Sequence, residues 1–357
     1  MPEGWEEKAK ELGAFQRARA IQTPADLLRL ILLYLTEGKS FAGTSAITAL
    51  SGEAAMSKVA VFKRIAHSAA WLQWLCENIY REGGIIVEKP QWLKKKNVKL
   101  VDGSEAVTCG VRRQCHMLHY SLDLFTLSCS EFVVTGIDNG EKLANFKQFK
   151  KGDIVMGDRA YGTLPGIAWL RQQGADYALR IKPRGIALYN GRRQEIDLLE
   201  RLRGLKEGKT ADITGKCIIN DTYEPIRICA LRKDKDSERA GLKRLKKENQ
   251  RKQGGKAVTE LQRESNKYIL VATSLGKEEA TAAQVLGLYR MRWQIELAFK
   301  RLKSLFGYSD LPAKNPQSVK AWFYGKLLLA ALCETLVNAG RFSPSGGACG
   351  GGGASPC

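Results

Sequence analysis

Tyr289, Arg292, Glu296, Lys300 and Lys303 recur at spacings of three and four in the run YRMRWQIELAFKRLK. Wound as one helix of about 3.6 residues per turn, they share a stripe that sets one carboxylate among cations and a phenol, groups that hold phosphate. Leu288, Ile295, Phe299, Leu302 and Phe306 follow an adjacent apolar stripe that can seat the helix on a core. The same spacing also fits a solvated amphipathic helix in which Glu296 pairs with Lys300.

Two further acids favour the chemical reading. Asp102 follows the apolar Val98, Leu100 and Val101 and precedes a small-residue turn at Gly103 and Ser104. Asp158 follows Ile154, Val155, Met156 and Gly157, with an apolar helix starting after Thr163. Taken alone, each reads first as a turn or cap residue. At the ends of neighbouring strands, however, both carboxylates can point into one cleft. A third from a later helix, Glu296, completes a set of hard oxygen donors suited to Mg²⁺, with Mn²⁺ as a substitute.

The order Asp102, then Asp158 in DRAYG, then Tyr289-x2-Arg292-x3-Glu296-x6-Lys303 resembles the DDE transposases of bacterial insertion sequences, specifically the insertion sequence 4 family. The likeness runs from about residue 4 to 335 and includes WEEKAKELGAFQRAR, DLLRLILLYL, LHYSLDL and YILVATSL. It implies a cut-and-paste transposase with Asp102, Asp158 and Glu296 as catalytic and metal-holding acids. It implies terminal inverted repeats and target DNA as partners, a synaptic homodimer, and a hairpin intermediate. Tyr289, Arg292, Lys300, Lys303 and Arg159 of DRAYG are then DNA-binding candidates. Tyr268, 21 positions before Tyr289, falls where such proteins place an aromatic that stacks on a base flipped out of the duplex; taken alone it reads first as an ordinary strand aromatic.

Composition agrees with a nucleic-acid partner. A net charge of +20 on 357 residues favours a polyanion through counterion release. Double-stranded DNA fits better than a membrane, because the apolar runs Leu30–Leu35 and Leu327–Cys333 are too short to span one. The start, MPEGWEEKAKE, has no apolar signal core, so the expected location is cytoplasmic, at the nucleoid. Nine scattered cysteines read as reduced core thiols. Cys109, Cys115, His116 and His119 lie close in sequence, but their spacing is not that of a zinc finger and strand alternation splits them between two faces. There is no GxxxxGK[ST] loop for a nucleotide, and three histidines without a nucleophile elbow do not make a serine hydrolase.

The expected fold class is α/β (α+β): a ribonuclease-H-like mixed sheet with a β-rich insertion, preceded by a helical DNA-binding domain. Residues 1–88 show helical periodicity over Leu27–Thr36, Ala42–Leu50, Ser57–His67 and Ala70–Tyr80. Ser57 can cap a recognition helix presenting Lys58, Lys63 and Arg64, or those charges are simply solvated. Within 96–182, strands are expected at Val98–Val107, His116–Leu124, Thr126–Ile137, Asp153–Gly157 and Asp176–Ile181, with helices at Glu141–Phe149 and Thr163–Gln173. In that topology the first and fourth strands are neighbours, which brings Asp102 and Asp158 together across 56 positions.

Between Asp158 and Glu296 lie 137 residues, more than one crossover needs. The excess reads as an insertion, 183–275, with strands Ala211–Ile219 and Glu224–Leu231 and a basic stretch, Leu231–Lys256, that tracks DNA phosphates or is a solvated face. Residues 276–340 return to the core with the signature helix and a last helix, Ala321–Ala339. The end, 341–357, is Gly-rich and unable to bury a core. That end keeps an alternative open: a transposase relic, defective in catalysis or assembly, that only binds DNA.

Overall fold

A computed structural model describes residues 1–36, 40–82, 88–108, 115–252, 255–305, 307, 310–311 and 315–341. Five helices open the chain: α1 (Trp5–Glu11), α2 (Pro24–Thr36), α3 (Phe41–Leu50), α4 (Lys58–His67) and α5 (Ala69–Glu82). Strands β1 (Asn97–Thr108), β2 (Cys115–Asp123), β3 (Cys129–Gly136) and β4 (Asp153–Gly157) come after them, then α6 (Leu164–Gln172), β5 (Asp176–Arg180) and α7 (Leu198–Leu202). Next come β6 (Thr210–Ile219), β7 (Thr222–Arg232), α8 (Lys235–Lys252), α9 (Glu260–Asn266) and β8 (Tyr268–Thr273). The chain closes with α10 (Ala282–Arg290), α11 (Trp293–Ser304), β9 (Asp310–Leu311) and α12 (Pro316–Arg341). The described residues form two compact units, one within Met1–Ile86, Ala106–Cys115 and Lys300–Cys357, the other within Val87–Glu105 and His116–Phe299.

In the first unit, α2 starts at Pro24, whose missing N–H costs nothing in the first turn, and buries Leu27, Leu30, Ile31 and Leu35. Ser57 caps α4, its side chain accepting the Ala60 N–H. Helix α12 packs on α5, α4 and α2. Its Gly325 lets α2 approach so closely that a β-carbon there would lie 2.4 Å from a Leu35 methyl. One turn of α12 is tied down by hydrogen bonds: Lys326 Nζ donates to the Leu35 carbonyl at 2.6 Å and the Tyr80 hydroxyl to the Leu327 carbonyl at 3.2 Å. The last helix therefore belongs with the amino-terminal helices, and not with the sheet to which the sequence pattern assigns 276–340.

The second unit is built on a mixed sheet in the order β3-β2-β1-β4-β5-β8-β7-β6; within the first unit, Val107 and Thr108 pair in parallel with β9. The β3-β2-β1-β4-β5 part is the ribonuclease-H-like order. Strand β4 is buried at all five positions, as a central parallel strand covered on both faces must be. Strand β8 joins β5 antiparallel, Ala178 opposite Thr273, so the insertion strands extend the same sheet and 183–275 is not a separate layer. The insertion also carries three helices, and its basic stretch is the helix α8.

Two expected elements differ, and one residue of a third. The strand expected at Val98–Val107 is β1, but Asp102 stands within it and not at its end: β1 runs on to Thr108, and the pairing with β4 stops at Leu100 opposite Met156. The helix expected over Glu141–Phe149 is replaced by single 3₁₀ turns at Ile137–Asn139 and Leu143–Asn145. Its N–H groups are drawn away, those of Lys147 and Gln148 donating to the Glu131 carboxylate at 2.7 and 3.1 Å. The signature helix is two helices. Between α10 and α11, the N–H groups of Met291 and Arg292 bond back three residues to Leu288 and Tyr289, a tighter turn that breaks the single stripe.

Among the described residues no helix is long and apolar enough to cross a membrane. Residues 342–357 of the Gly-rich end, and Cys109 of the Cys/His group, lie outside the described residues.

Candidate active site

Strands β1 and β4 pair in parallel with Asn97 opposite Asp153 and Leu100 opposite Met156. Carried two residues further, that register sets Asp102 against Asp158. Asp102 is half-buried, and its Oδ1 accepts its neighbour Gly103's N–H at 2.9 Å. Asp158 opens a turn that the DRAYGT sequence dictates. Its Oδ1 accepts the Ala160 N–H at 2.7 Å, its carbonyl accepts the Gly162 N–H at 3.1 Å, and Thr163 then caps α6. Gly162 is required there, because a β-carbon would fall 1.9 Å from the Arg180 carbonyl on β5.

The third acid comes in through an arginine. Arg292, at the break between α10 and α11, sets Nη1 3.8 Å from Asp102 Oδ2 and pairs through Nη2 with the Glu296 carboxylate one turn on. Glu296 is exposed; Arg292 is half-buried. Burial pushes the Asp102 carboxyl up to about 6, and Asp158 and Glu296 add to the rise against the Gly103 N–H and Arg292. Burial alone would lower the Arg292 guanidinium, but Tyr289, Glu296 and Asp102 hold it above its ordinary value. Tyr289 is buried at the end of α10, and burial raises its phenol even beside Arg292 and Arg180.

Next to Asp158 a cleft of about 650 Å³ is lined by Arg159, Arg180, Lys233, Arg244 and Arg292. Among the described residues no hydrogen-bond partner meets the buried Nε of Arg159 or of Arg180. Burial, then Arg180 and Arg159, lowers the Lys233 ammonium to about 8. A concave surface with this much positive charge beside acidic residues suits a phosphate backbone. Sequence reasoning singles out Arg159 and Arg292 and covers Lys233 and Arg244 within the basic stretch Leu231–Lys256, but it misses Arg180 and does not bring the five together. Arg180 ends β5, with Lys182 and Arg184 just beyond it, much as Asp158 comes just after β4, and that shared place at the end of a core strand is the signal that could have found them.

A fourth acid escapes sequence reasoning altogether. Burial, followed by Asp158, Asp102 and Glu105, pushes the Glu141 carboxyl up to about 7. Its segment reads as helix in sequence, so nothing marks it as facing the two aspartates.

The remaining candidates fall elsewhere. Tyr268 is 3% exposed, and its hydroxyl donates to the Leu202 carbonyl at 2.9 Å with Arg232 over the ring. A ring enclosed in this way has no face open to a base, which corrects the stacking expectation. Lys63 is exposed on α4. Arg64 is half-buried, donates to the Arg17 carbonyl at 2.8 Å and lies over Phe15, so packing uses much of it. Lys300 and Lys303 are exposed on α11. His119 is fully buried, bonded to Thr135 and Asn145, and lowered by burial to about 4.

Among the described residues no three histidine, cysteine or acidic side chains are already gathered about one point as metal ligands would be. The cation against Asp102 and Glu296 is Arg292. The donor chemistry nevertheless fits a hard divalent ion: Asp102 is desolvated and pressed by Asp158 and Glu296, a concentration of negative charge that such an ion would neutralise.

Comparison with known proteins bears on this geometry. Residues 94–332 match the family described as "Transposase DDE domain". The chain is 33% identical over 344 residues to InsL of insertion sequence element IS186A from Escherichia coli K12, covering 94% of this chain and 91% of that one. It is 33% identical over 345 residues to the transposase for insertion sequence element IS421 of Escherichia coli, with the same coverage. With the transposase for element IS231E of Bacillus thuringiensis it shares 26% over 262 residues, covering 67% of this chain and 52% of the relative.

Proposed function

The chain belongs to the DDE transposases of insertion sequences, and on that premise we propose that it cuts its own element from DNA and inserts it elsewhere. It binds the terminal inverted repeats as duplex and acts through Asp102, Asp158 and Glu296. What supports this reading is the β1–β4 register, whose offset is that of Asp102 and Asp158, the effect of the Asp158 and Glu296 charges on Asp102, and Arg292 between Asp102 and Glu296.

Asp102, Asp158 and Glu296 would hold Mg²⁺, or Mn²⁺ in its place, which supplies Lewis-acid activation of the attacking oxygen and offsets charge on the leaving one. In cleavage, water attacks the phosphorus at the element boundary, the P–O3′ bond breaks, and a 3′-hydroxyl and a 5′-phosphate result. In strand transfer that 3′-hydroxyl attacks a target phosphodiester in line, and the target's own 3′-oxygen leaves with the proton. Each step exchanges one phosphoester bond for another, so no nucleotide is consumed.

The protein's task is largely placement. Arg159, Arg180, Lys233 and Arg244 hold the strand beside Asp158, and their fixed positions orient the reacting phosphate. Arg292 can move its charge from the acids to a phosphate as the site fills. Residues 1–88, with Lys63 exposed on α4, supply further duplex contact, and two copies of the chain bring the two ends together.

The test is incubation of the protein with Mg²⁺ and a supercoiled plasmid carrying the element. Excised element and insertion products support the proposal. A gel shift on the inverted repeats without any strand cleavage would instead make this chain a DNA-binding relic.

A further inference from the structure

We propose that Glu141 is a fourth carboxylate of the metal-holding group, standing with Asp102 and Asp158; the inference rests on the transposase reading above. The main observation is a close approach. A β-carbon on Gly103 would lie 2.8 Å from Glu141 Oε1, 3.0 Å from its Cγ and 3.3 Å from its Cδ. The acid therefore occupies the space that a side chain at 103 would fill, one residue from Asp102, whose Oδ1 takes the Gly103 N–H.

Local structure holds the acid there. Gly140, at φ +60°, turns the chain immediately before it, and Leu143 and Phe146 just after it are buried in the core. The strongest charges acting on Glu141 are Asp158, Asp102 and Glu105, all of its own sign. In a half-buried position like charges repel, and the Gly140 turn with the buried Leu143 and Phe146 holds Glu141 in place against that repulsion. A divalent cation reverses the sign of that interaction.

An independent observation points to the same place. Tyr161 of DRAYG is 1% exposed, and among the described residues no hydrogen-bond partner meets its hydroxyl. The carboxylates acting on that phenol are Glu141, Asp102 and Asp158. A buried, unpartnered hydroxyl amid three acids leaves polar capacity that a hydrated cation would satisfy. Glu141 lies between β3 and β4 in the chain, so its position is set by the sheet and owes nothing to the helix that brings Glu296.

The experiment is Mn²⁺ binding to the full chain without DNA, read from loss of the free-ion electron paramagnetic resonance signal, with thermal melts in EDTA and in Mn²⁺. Glu141→Gln is expected to melt in EDTA at or above the wild-type temperature, since it removes repulsion, and to bind Mn²⁺ roughly tenfold or more weakly. Glu141→Asp, which keeps the charge on a shorter arm, should lie between the two, and it decides the matter if the glutamine variant does not fold. Wild-type Mn²⁺ affinity in both variants, with Asp102→Asn impaired, would overturn the inference and leave the transposase reading standing. A wild-type chain that binds Mn²⁺ no better than Asp102→Asn would overturn the metal assignment of the whole site, and Glu141's part with it.

Discussion

Asp102 and Asp158 are 56 positions apart in sequence, and the parallel pairing of β1 with β4 has that same offset, so the two acids fall in register two residues beyond the last pair, Leu100 with Met156, and the charge of Asp158 acts on Asp102. The paired register between the strands stops at Leu100 and Met156. Any change that slides or bends this end of the sheet separates the acids.

Gly162→Ala tests that dependence. The added methyl meets the Arg180 carbonyl at 1.9 Å, so the DRAYG turn must move away from β5. The expected cost is about 2–3 kcal/mol of stability, seen as a lower melting temperature. DNA cleavage should fall further than stability does, because Asp158 sits in the displaced turn.

Without metal, stability should depend on pH in the sense opposite to an ordinary salt-bridged carboxylate. Asp102 titrates near 6 in the folded chain against 3.8 for an unperturbed aspartate, so between those pH values the folded state binds more protons than the unfolded one. Stability contributed by the protonated form is present below about 4 and is lost as pH rises through 6. Melts in EDTA from pH 4.5 to 7 should show this decline, flattened in Asp102→Asn by up to about 3 kcal/mol. Saturating Mg²⁺ should reverse the trend.

Arg292→Ala leaves Asp102 and Glu296 without their shared cation. Cleavage of an element end is expected to fall on the order of a hundredfold, about 3 kcal/mol of lost positioning and charge stabilisation. Arg292→Lys should recover only part of it, since an ammonium cannot face both carboxylates as a planar fork does.

The cleft beside Asp158 makes a prediction about binding alone. Arg180→Ala and Arg244→Ala should weaken duplex binding across sequences and reduce the dependence of affinity on salt by about one ion for each phosphate no longer held. Lys233, lowered to about 8, gives up its charge as pH rises through that value, so affinity should fall there in the wild type and less in Lys233→Arg.

Tyr268→Phe removes the hydroxyl that donates to the Leu202 carbonyl and keeps the buried ring. A loss of about 1 kcal/mol in stability with unchanged DNA cleavage is expected. A tyrosine that stacked on a base would give a different pattern, with Tyr268→Ala reducing cleavage in a protein that remains folded.

Features set by local sequence are legible in it, and features set by distant partners are not. The core strands belong to the first kind, because apolar runs determine them; the neighbourhood of Asp102 and Asp158 is expected only once a strand order is assumed. The break at Met291 and Arg292 belongs to the second, since no glycine or proline marks it and the spacing of Tyr289, Arg292 and Glu296 fits an unbroken helix. Glu141 is hidden for a related reason. EKLANFKQF has helical periodicity, and only the distant Glu131 carboxylate, by taking the N–H groups of Lys147 and Gln148, prevents the helix. Tyr268 cannot be settled from its strand, because alternation says that one face is buried but not which one. The insertion's membership in the core sheet is likewise a long-range fact, created by the pairing of β8 with β5.

The most direct test is cleavage of a labelled duplex carrying the element's own end, with Mg²⁺, by wild type, Asp102→Ala, Asp158→Ala and Glu296→Ala, each first shown to bind that duplex. The account predicts a cut at the element boundary by the wild type and none by any of the three variants. Mg²⁺-dependent cutting that survives in one of them would contradict the claim that these three acids form a single catalytic site.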